Sequence, residues 1–224
     1  MDETSVSVGG IKGYVWALTS MEEVGYFYTP TREGGTIQTM LRDFKGVLVS
    51  DFYAAYDAID CPQQKCLIHF IRDLNDDLLK HPYDDGLKRL AREFTGLLKP
   101  IVDTVDRRGL KKRFLGKHKI SVNRFYKRLG SEFGPSEAAK KLVERLHKNR
   151  DTMFTFLNFD GVPWNNNNAE HAVKAFAKLR RVIDGSTSES GLRDYLVLLS
   201  LSETCKYKSV DFLGFLRSGS KKCR

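Results

Sequence analysis

Phe44-Lys45-Gly46-Val47-Leu48-Val49-Ser50-Asp51 is the stretch on which the fold turns. Gly46 ends whatever precedes it, Val47-Leu48-Val49 is a continuous apolar run, and Ser50-Asp51 closes it. Such a run predicts a short central strand covered on both faces. An aspartate at the end of a buried strand costs desolvation unless something pairs with it. Two kinds of partner suit Asp51: a metal ion at the carboxyl edge of a sheet, or the N–H groups of a helix beginning near Tyr53.

Upstream, the chain reads as β-structure. From Asp2 to Val8, the residues Asp2, Thr4, Val6 and Val8 share one face, and Glu3, Ser5 and Ser7 share the other. Gly9-Gly10 marks a turn. Tyr14–Thr19 and Gly25–Thr29, rich in aromatic and β-favouring residues, predict two more strands and so a three-stranded antiparallel meander. Ile37, Met40, Leu41 and Phe44 have helical spacing, which predicts a helix over 36–44.

Downstream of Asp51, a short helix is expected over 53–58 and a fifth strand over 65–69 (KCLIH). Leu87, Leu90, Ala91, Phe94, Leu97, Leu98, Ile101 and Val105 then trace one face of a long helix, with a kink expected at Pro100. Residues 107–119 hold seven Lys/Arg and no acid, a basic loop or helix start. Further helices are expected over 122–129, 136–149, 152–157 and 168–183. Gly185 should close the last of these. Ser186 and Glu189 have capping-box spacing for a helix through Lys206, and Ser209 should cap a terminal helix over 210–217. Three antiparallel strands followed by strands alternating with helices predict an α/β fold with a mixed sheet.

The 224 residues can bury a substantial core, and 41% hydrophobic with 29% charged residues fits a globular chain. No apolar run is long enough to cross a bilayer, and no basic-then-apolar signal opens the chain, so an intracellular location is expected. Residues 1–60 carry a net charge of −5 and the remainder +14. A basic body around an acidic patch suits a polyanionic partner, although a solubility surface explains the balance equally well. Cys61, Cys66, Cys205 and Cys223 are too sparse for a disulfide framework. Cys66-x-x-His69 lacks a second ligand pair, so it reads first as a small buried thiol beside a hydrogen-bonded histidine.

Three acids stand at informative places: Asp2 opening a strand, Asp51 closing one, and Glu170 in the first turn of an amphipathic helix. On that helix Ala169, Ala172, Val173, Phe176, Leu179 and Ile183 form the apolar stripe, with Glu170, Lys174, Lys178 and Arg181 on its flank. Distant carboxylates gathered by a fold suit hard divalent cations, and cations behind them suit a phosphate backbone. Taken singly, each acid has a plainer role: a Glu–Lys pair on a solvated face for Glu170, a helix cap for Asp51, a solvated terminus for Asp2.

Several ordered motifs together carry a resemblance. Asp2-Glu3-Thr4, Gly13-Tyr14-Val15-Trp16, the 44–51 stretch with Tyr53-Ala54-Ala55-Tyr56, and Asp160-Gly161-Val162-Pro163 with Asn167-Asn168-Ala169-Glu170 resemble the catalytic core of the insertion sequence 66 family of bacterial transposases. Cys66, His69 and Arg72 resemble its next block, and Gly185-Ser186, Gly191 and Leu198–Lys206 its C-terminal block. The helical middle matches only in being helical. Phe52 stands where glycine is common in the family, and His171 where arginine is common.

The resemblance implies an RNase H-like mixed sheet, three antiparallel strands plus parallel strands, flanked by helices. It implies a catalytic core over 1–75 and 158–224 with an all-helical insertion over 76–157. It implies a DDE site of Asp2, Asp51 and Glu170 holding two Mg²⁺ ions, for which Mn²⁺ can substitute. Arg72, Lys174, Lys178, Arg180 and Arg181 become the candidate DNA contacts, with His69 as a further orienting group. The implied activity is cleavage at transposon ends and transfer of the 3′-hydroxyl into target DNA. The implied partners are DNA, further copies of the chain on DNA, and full-length transposase or accessory element proteins, in the bacterial cytoplasm at the nucleoid. Family members carry N-terminal segments before the first aspartate, so a chain starting at Met1 is expected to be a truncated product. A remnant that only binds DNA or regulates is the alternative.

Overall fold

The computed structural model describes residues 1–129, 136–183, 188–220 and 223. Among them the chain forms β1 (Asp2–Val8), β2 (Ile11–Thr19), β3 (Val24–Thr29), α1 (Gly34–Met40), β4 (Leu48–Ser50), a 3-10 helix (Ala54–Ala58) and β5 (Gln63–Lys65). Next come α2 (Leu67–Lys80), α3 (Asp85–Arg108), α4 (Lys112–Leu115), α5 (Lys119–Arg128), α6 (Glu137–Lys148) and α7 (Arg150–Met153). Last are α8 (Asn167–Ile183), α9 (Glu189–Tyr207) and α10 (Phe212–Arg217). The fold is α/β. Hydrogen bonds group the strands into an antiparallel sheet ordered β1-β2-β3 and a parallel pair, β4-β5. Among the described residues no helix is long and apolar enough to cross a membrane.

Packing divides the chain into two units. The first comprises Met1–Asp43, Ala54–Ile59 and Asn166–Arg224. Its meander pairs Asp2 with Ala17 and Val8 with Ile11 across β1–β2, and Tyr14 with Thr29 across β2–β3. The alternation read from the sequence decides which face is covered by what. Val6, Val8, Val15, Ala17, Tyr26 and Tyr28 meet Ala172 and Phe176 of α8 and Leu192, Leu196 and Leu199 of α9. On the opposite face the fully buried Trp16 donates its indole N–H to Thr29 Oγ1 at 2.7 Å and meets the Tyr56 ring edge-on, with 6.4 Å between ring centroids. Gly13 allows close packing within the sheet, because a Cβ there would meet the Tyr28 ring at 2.5 Å.

The second unit comprises Phe44–Tyr53 and Asp60–Asn165. β4 and β5 pair in parallel, Leu48 with Gln63 and Ser50 with Lys65, and Cys66 N–H extends the ladder to Ser50 O at 2.8 Å. The helices around them share one core built on Leu67, Phe70, Leu90, Phe94, Ile101, Phe125, Leu142 and Phe156. Buried Gln64 joins strand to helices. Its amide donates to Met153 O at 2.8 Å, and its oxygen accepts from Phe156 N–H at 2.9 Å.

Several elements differ from expectation. The fifth strand lies at 63–65, and the 65–69 stretch instead turns at Cys66 into α2. Leu67, Phe70 and Leu74 recur at helical spacing and are all buried, so tertiary packing chose the helix. α1 ends at Met40: Ile37 is its buried position, the buried Leu41 caps it, and Met40 and Phe44 are exposed, so no apolar stripe carries it further. α9 is capped by Ser188, whose side chain accepts from Gly191 N–H, so Glu189 is its first residue rather than a capping-box partner. α10 is capped by Asp211, and Ser209 sits before it with φ of 56°. Gly185 and Ser186 lie outside the described residues, as do the side chains of Leu179 and Ile183.

Candidate functional site

In the first unit, Asp2 and Glu170 are brought into one connected arrangement through Asn166. This asparagine is 4% exposed and immediately precedes α8. Its side-chain N–H donates to Met1 O at 2.8 Å, and its Oδ1 accepts from the Met1 ammonium at 3.4 Å. Its main-chain oxygen accepts from Glu170 N–H at 3.0 Å. One residue therefore grips the peptide entering Asp2 and also closes the first helical turn that carries Glu170. Met1 is buried at 5% exposure, so the start of β1 is packed rather than frayed.

Orientation follows from the same contacts. Val6 and Val8 lie in the core beneath α8, and Arg180 donates to Thr4 Oγ1 and to Ser5 O, the latter at 2.6 Å. Strand alternation puts Asp2 on the face of Thr4, Val6 and Val8, the face α8 covers. Met1 lies at the start of α8 and Ser5 towards its end, so helix and strand run in the same sense. Asp2 Oδ1 accepts from Glu3 N–H at 2.9 Å. Tyr26 holds α8 from below, its hydroxyl donating to Ala172 O at 2.8 Å. Burial, with Glu203 adding to it, pushes the Tyr26 phenol far above its ordinary pKa, so it remains a neutral donor.

Of the neighbouring acids Asp2 and Glu3, the structure commits Glu3 elsewhere. On the opposite face its carboxylate pairs with Arg32 and accepts from Tyr56 O–H at 2.6 Å. A carboxylate only 4% exposed needs such partners. On α8, Ala169, Ala172 and Phe176 are buried, Glu170 is half-buried, and Lys174, Lys178 and Arg181 lie on the more open flank. Of the candidate cations on α8, Arg180 has its guanidinium held by β1.

Asp51 belongs to the second unit and directly follows β4. It is half-buried, and its Oδ1 accepts from Tyr53 N–H at 2.9 Å, the local cap that the sequence allows. The next residue is fixed by the helices: Arg145 of α6 lies 3.8 Å from the centre of the Phe52 ring and pairs with Asp73 of α2. Cys66 is buried at the start of α2, His69 is half-buried in its first turn, and Arg72 is exposed one turn on.

Asn166, the Glu3–Arg32–Tyr56 group and Arg145 were not singled out from the sequence. In the sequence, the asparagine run 165–168 signals a helix start and nothing more. Comparison with curated proteins and with solved structures gives no match. A family model described as Transposase IS66 family matches residues 1–194. The matched span holds all three acids and the helical middle, and it stops short of the 198–206 run. Most of the chain is thus covered, and the chain belongs to the IS66 family of transposases.

Proposed function

We propose that this chain is a DNA transposase catalytic core, with Asp2, Asp51 and Glu170 as the carboxylates of a metal-dependent phosphoryl-transfer site. The observation that carries the reading is the Asn166 tie, which anchors the two acids most distant in sequence from a single residue. The donor set fits the cofactor. Carboxylate oxygens are the ligands hard divalent cations take, and both Asp2 and Glu170 are half-buried on structured elements. When bound, two Mg²⁺ ions would activate the attacking oxygen and stabilise the leaving oxygen of an in-line displacement at phosphorus, and Mn²⁺ would serve in their place.

The chain's own residues have distinct tasks. Asp2, Asp51 and Glu170 supply charge and fixed oxygen donors. Lys174, Lys178 and Arg181, behind Glu170 on one flank of α8, hold the DNA phosphates in register, and Arg72 adds a cation on α2. Arg180 keeps β1 against α8 and so acts on Asp2 as a positioning residue. Water attacks first, to free a 3′-hydroxyl at the transposon end. That hydroxyl then attacks target DNA, and no covalent protein–DNA intermediate is required.

The test is a cleavage and strand-joining assay on labelled DNA with Mg²⁺ or Mn²⁺, comparing wild type with Asp51→Asn and Glu170→Gln. Metal-dependent joining by wild type, lost in both variants, is the expected outcome. DNA binding with no metal-dependent cleavage or joining would instead identify a regulatory remnant.

A further inference from the structure

Outside the proposed catalytic residues, the second unit holds a cavity of about 520 Å³ between α3 and α5. Its lining includes Arg89, Arg92, Arg124 and Arg128, with Glu93 as its one acid. The arrangement is built by spacing. Arg89, Arg92, Glu93 and Gly96 stand at i, i+3, i+4 and i+7 on α3, and Ser121, Arg124, Phe125 and Arg128 repeat that spacing on α5. Each set is one helical stripe, and the two stripes face a common cleft. Phe125 and Leu97 are buried as its floor. Gly96 and Ser121 keep it open, and a Cβ at Gly96 would meet nothing within 4 Å.

The electrostatics favour an anion. Glu93 pairs with Arg128 at 2.9 Å, which leaves a surplus of guanidinium charge in the cleft. Among the described residues, Arg92 and Arg124 make no ion pair, and Arg124 is exposed. Along the helix axes, Arg89 to Arg92 is about 4.5 Å and Arg124 to Arg128 about 6 Å. These separations span one to two phosphates of a strand that rises about 3.4 Å per nucleotide. Guanidinium groups bind phosphate through paired N–H donors, so Arg92 and Arg124, one from each stripe, are suited to take a phosphate backbone along the cleft.

We propose that the α3–α5 cleft is a second nucleic-acid site, which takes the sugar-phosphate backbone of duplex DNA without reading its sequence. The proposal rests on the reading of the chain as acting on DNA, but it invokes none of the proposed catalytic carboxylates. Its occupant is held by charge, so affinity depends steeply on salt.

The experiment measures binding of the full chain to a fluorescein-labelled duplex by anisotropy. EDTA is present throughout, and salt is varied from about 50 to 200 mM. Four proteins are compared: wild type, Arg92→Ala/Arg124→Ala, Gly96→Leu, and a charge-matched control, Lys140→Ala/Lys148→Ala on α6. Near 0.1 M salt each phosphate deprived of its guanidinium should weaken binding roughly eightfold and lower the log–log salt slope by about 0.9, so the arginine pair loses roughly sixty-fold. Gly96→Leu should weaken binding by filling the cleft, with a melting temperature at or above that of wild type, since leucine favours a helix over glycine. The lysine control should bind within about twofold of wild type. An arginine pair no weaker than the lysine control, or a Gly96→Leu protein that binds like wild type, overturns the cleft and leaves the carboxylate chemistry standing. A wild-type chain with no salt-sensitive duplex binding overturns both.

Discussion

A buried primary amide has two N–H donors and an oxygen to satisfy, and each costs stability if left unmatched. Asn166 directs an N–H and its oxygen to Met1, while its backbone carbonyl begins α8. Asn166→Ala would leave Met1 O buried without that donor, at a cost of about 1–3 kcal/mol by denaturant unfolding. If Asp2 drifts by about 1 Å as a result, strand joining should fall by roughly a hundredfold, with duplex binding unchanged. An Asn166→Ala protein that joins strands at the wild-type rate would show that Asp2 needs no such anchor. This is also where the sequence was least legible. A strand-opening Asp2, a strand-closing Asp51 and a first-turn Glu170 follow from local pattern, and the structure puts Asp2 at the start of β1, Glu170 in the first turn of α8 and Asp51 directly after β4. Asn166 is bonded to a residue 165 positions away, and no local pattern announces that. The same holds for Arg180, which reads as one more exposed helix cation until its bond to Ser5 O is seen.

Helix ends link the second unit in the same fashion. Asp84 caps α3, its Oδ1 accepting from Leu87 N–H at 2.9 Å, and its Oδ2 accepts from the hydroxyl of Ser136, which itself caps α6. One carboxylate thus ties together two helix starts separated by 52 positions. The Ser136 hydroxyl, more than any other group, holds the Asp84 carboxyl below its ordinary value, and backbone N–H groups add to the effect. With the folded pKa below the unfolded one, the unfolded chain takes up the proton first as pH falls. The contribution is therefore complete above about pH 4 and is lost as pH drops through the folded value. Asp84→Ala should cost about 1 kcal/mol at pH 7. Asp84→Asn keeps the cap, and its stability relative to wild type should rise as pH is lowered from about 5 to about 3, read from urea midpoints. A difference that stays flat with pH would exclude the carboxylate linkage. At this scale the sequence showed most of the helices and the whole meander, because their apolar periods are long and regular. It failed at β5, whose residues Gln63, Gln64 and Lys65 are all buried yet polar. Gln64 is satisfied by backbone groups of 153–156, and that partnership exists only after folding. It also failed at 65–69, where a short apolar run fits strand and helix alike until Leu74 is seen to share the buried face of Leu67 and Phe70.

At the scale of the molecule, charge is unevenly distributed along the sequence. The first 60 residues are net negative and carry two of the proposed catalytic acids, while the remainder carries +14. The proposed site would hold like-charged carboxylates at fixed positions, where they repel, and a divalent cation would relieve that repulsion in the folded chain alone. Folding and metal binding are then linked. At a free Mg²⁺ concentration about 100 times its dissociation constant, the folded state gains about 2.7 kcal/mol. In a chain of this size each kcal/mol corresponds to about 2–4 °C, so Mg²⁺ should raise the melting temperature by roughly 5–10 °C. Asp2→Asn, Asp51→Asn and Glu170→Gln should each remove most of that shift. Without metal, the same three variants should melt at or slightly above the wild-type temperature, because neutralising one member of a repelling set costs nothing electrostatically. Scanning calorimetry with and without Mg²⁺ reads both effects in one series, and Ca²⁺ serves as a binding control. If Asp51→Asn keeps the full Mg²⁺ shift while Glu170→Gln loses it, Asp51 does not share the ion, and its role reduces to the Tyr53 cap.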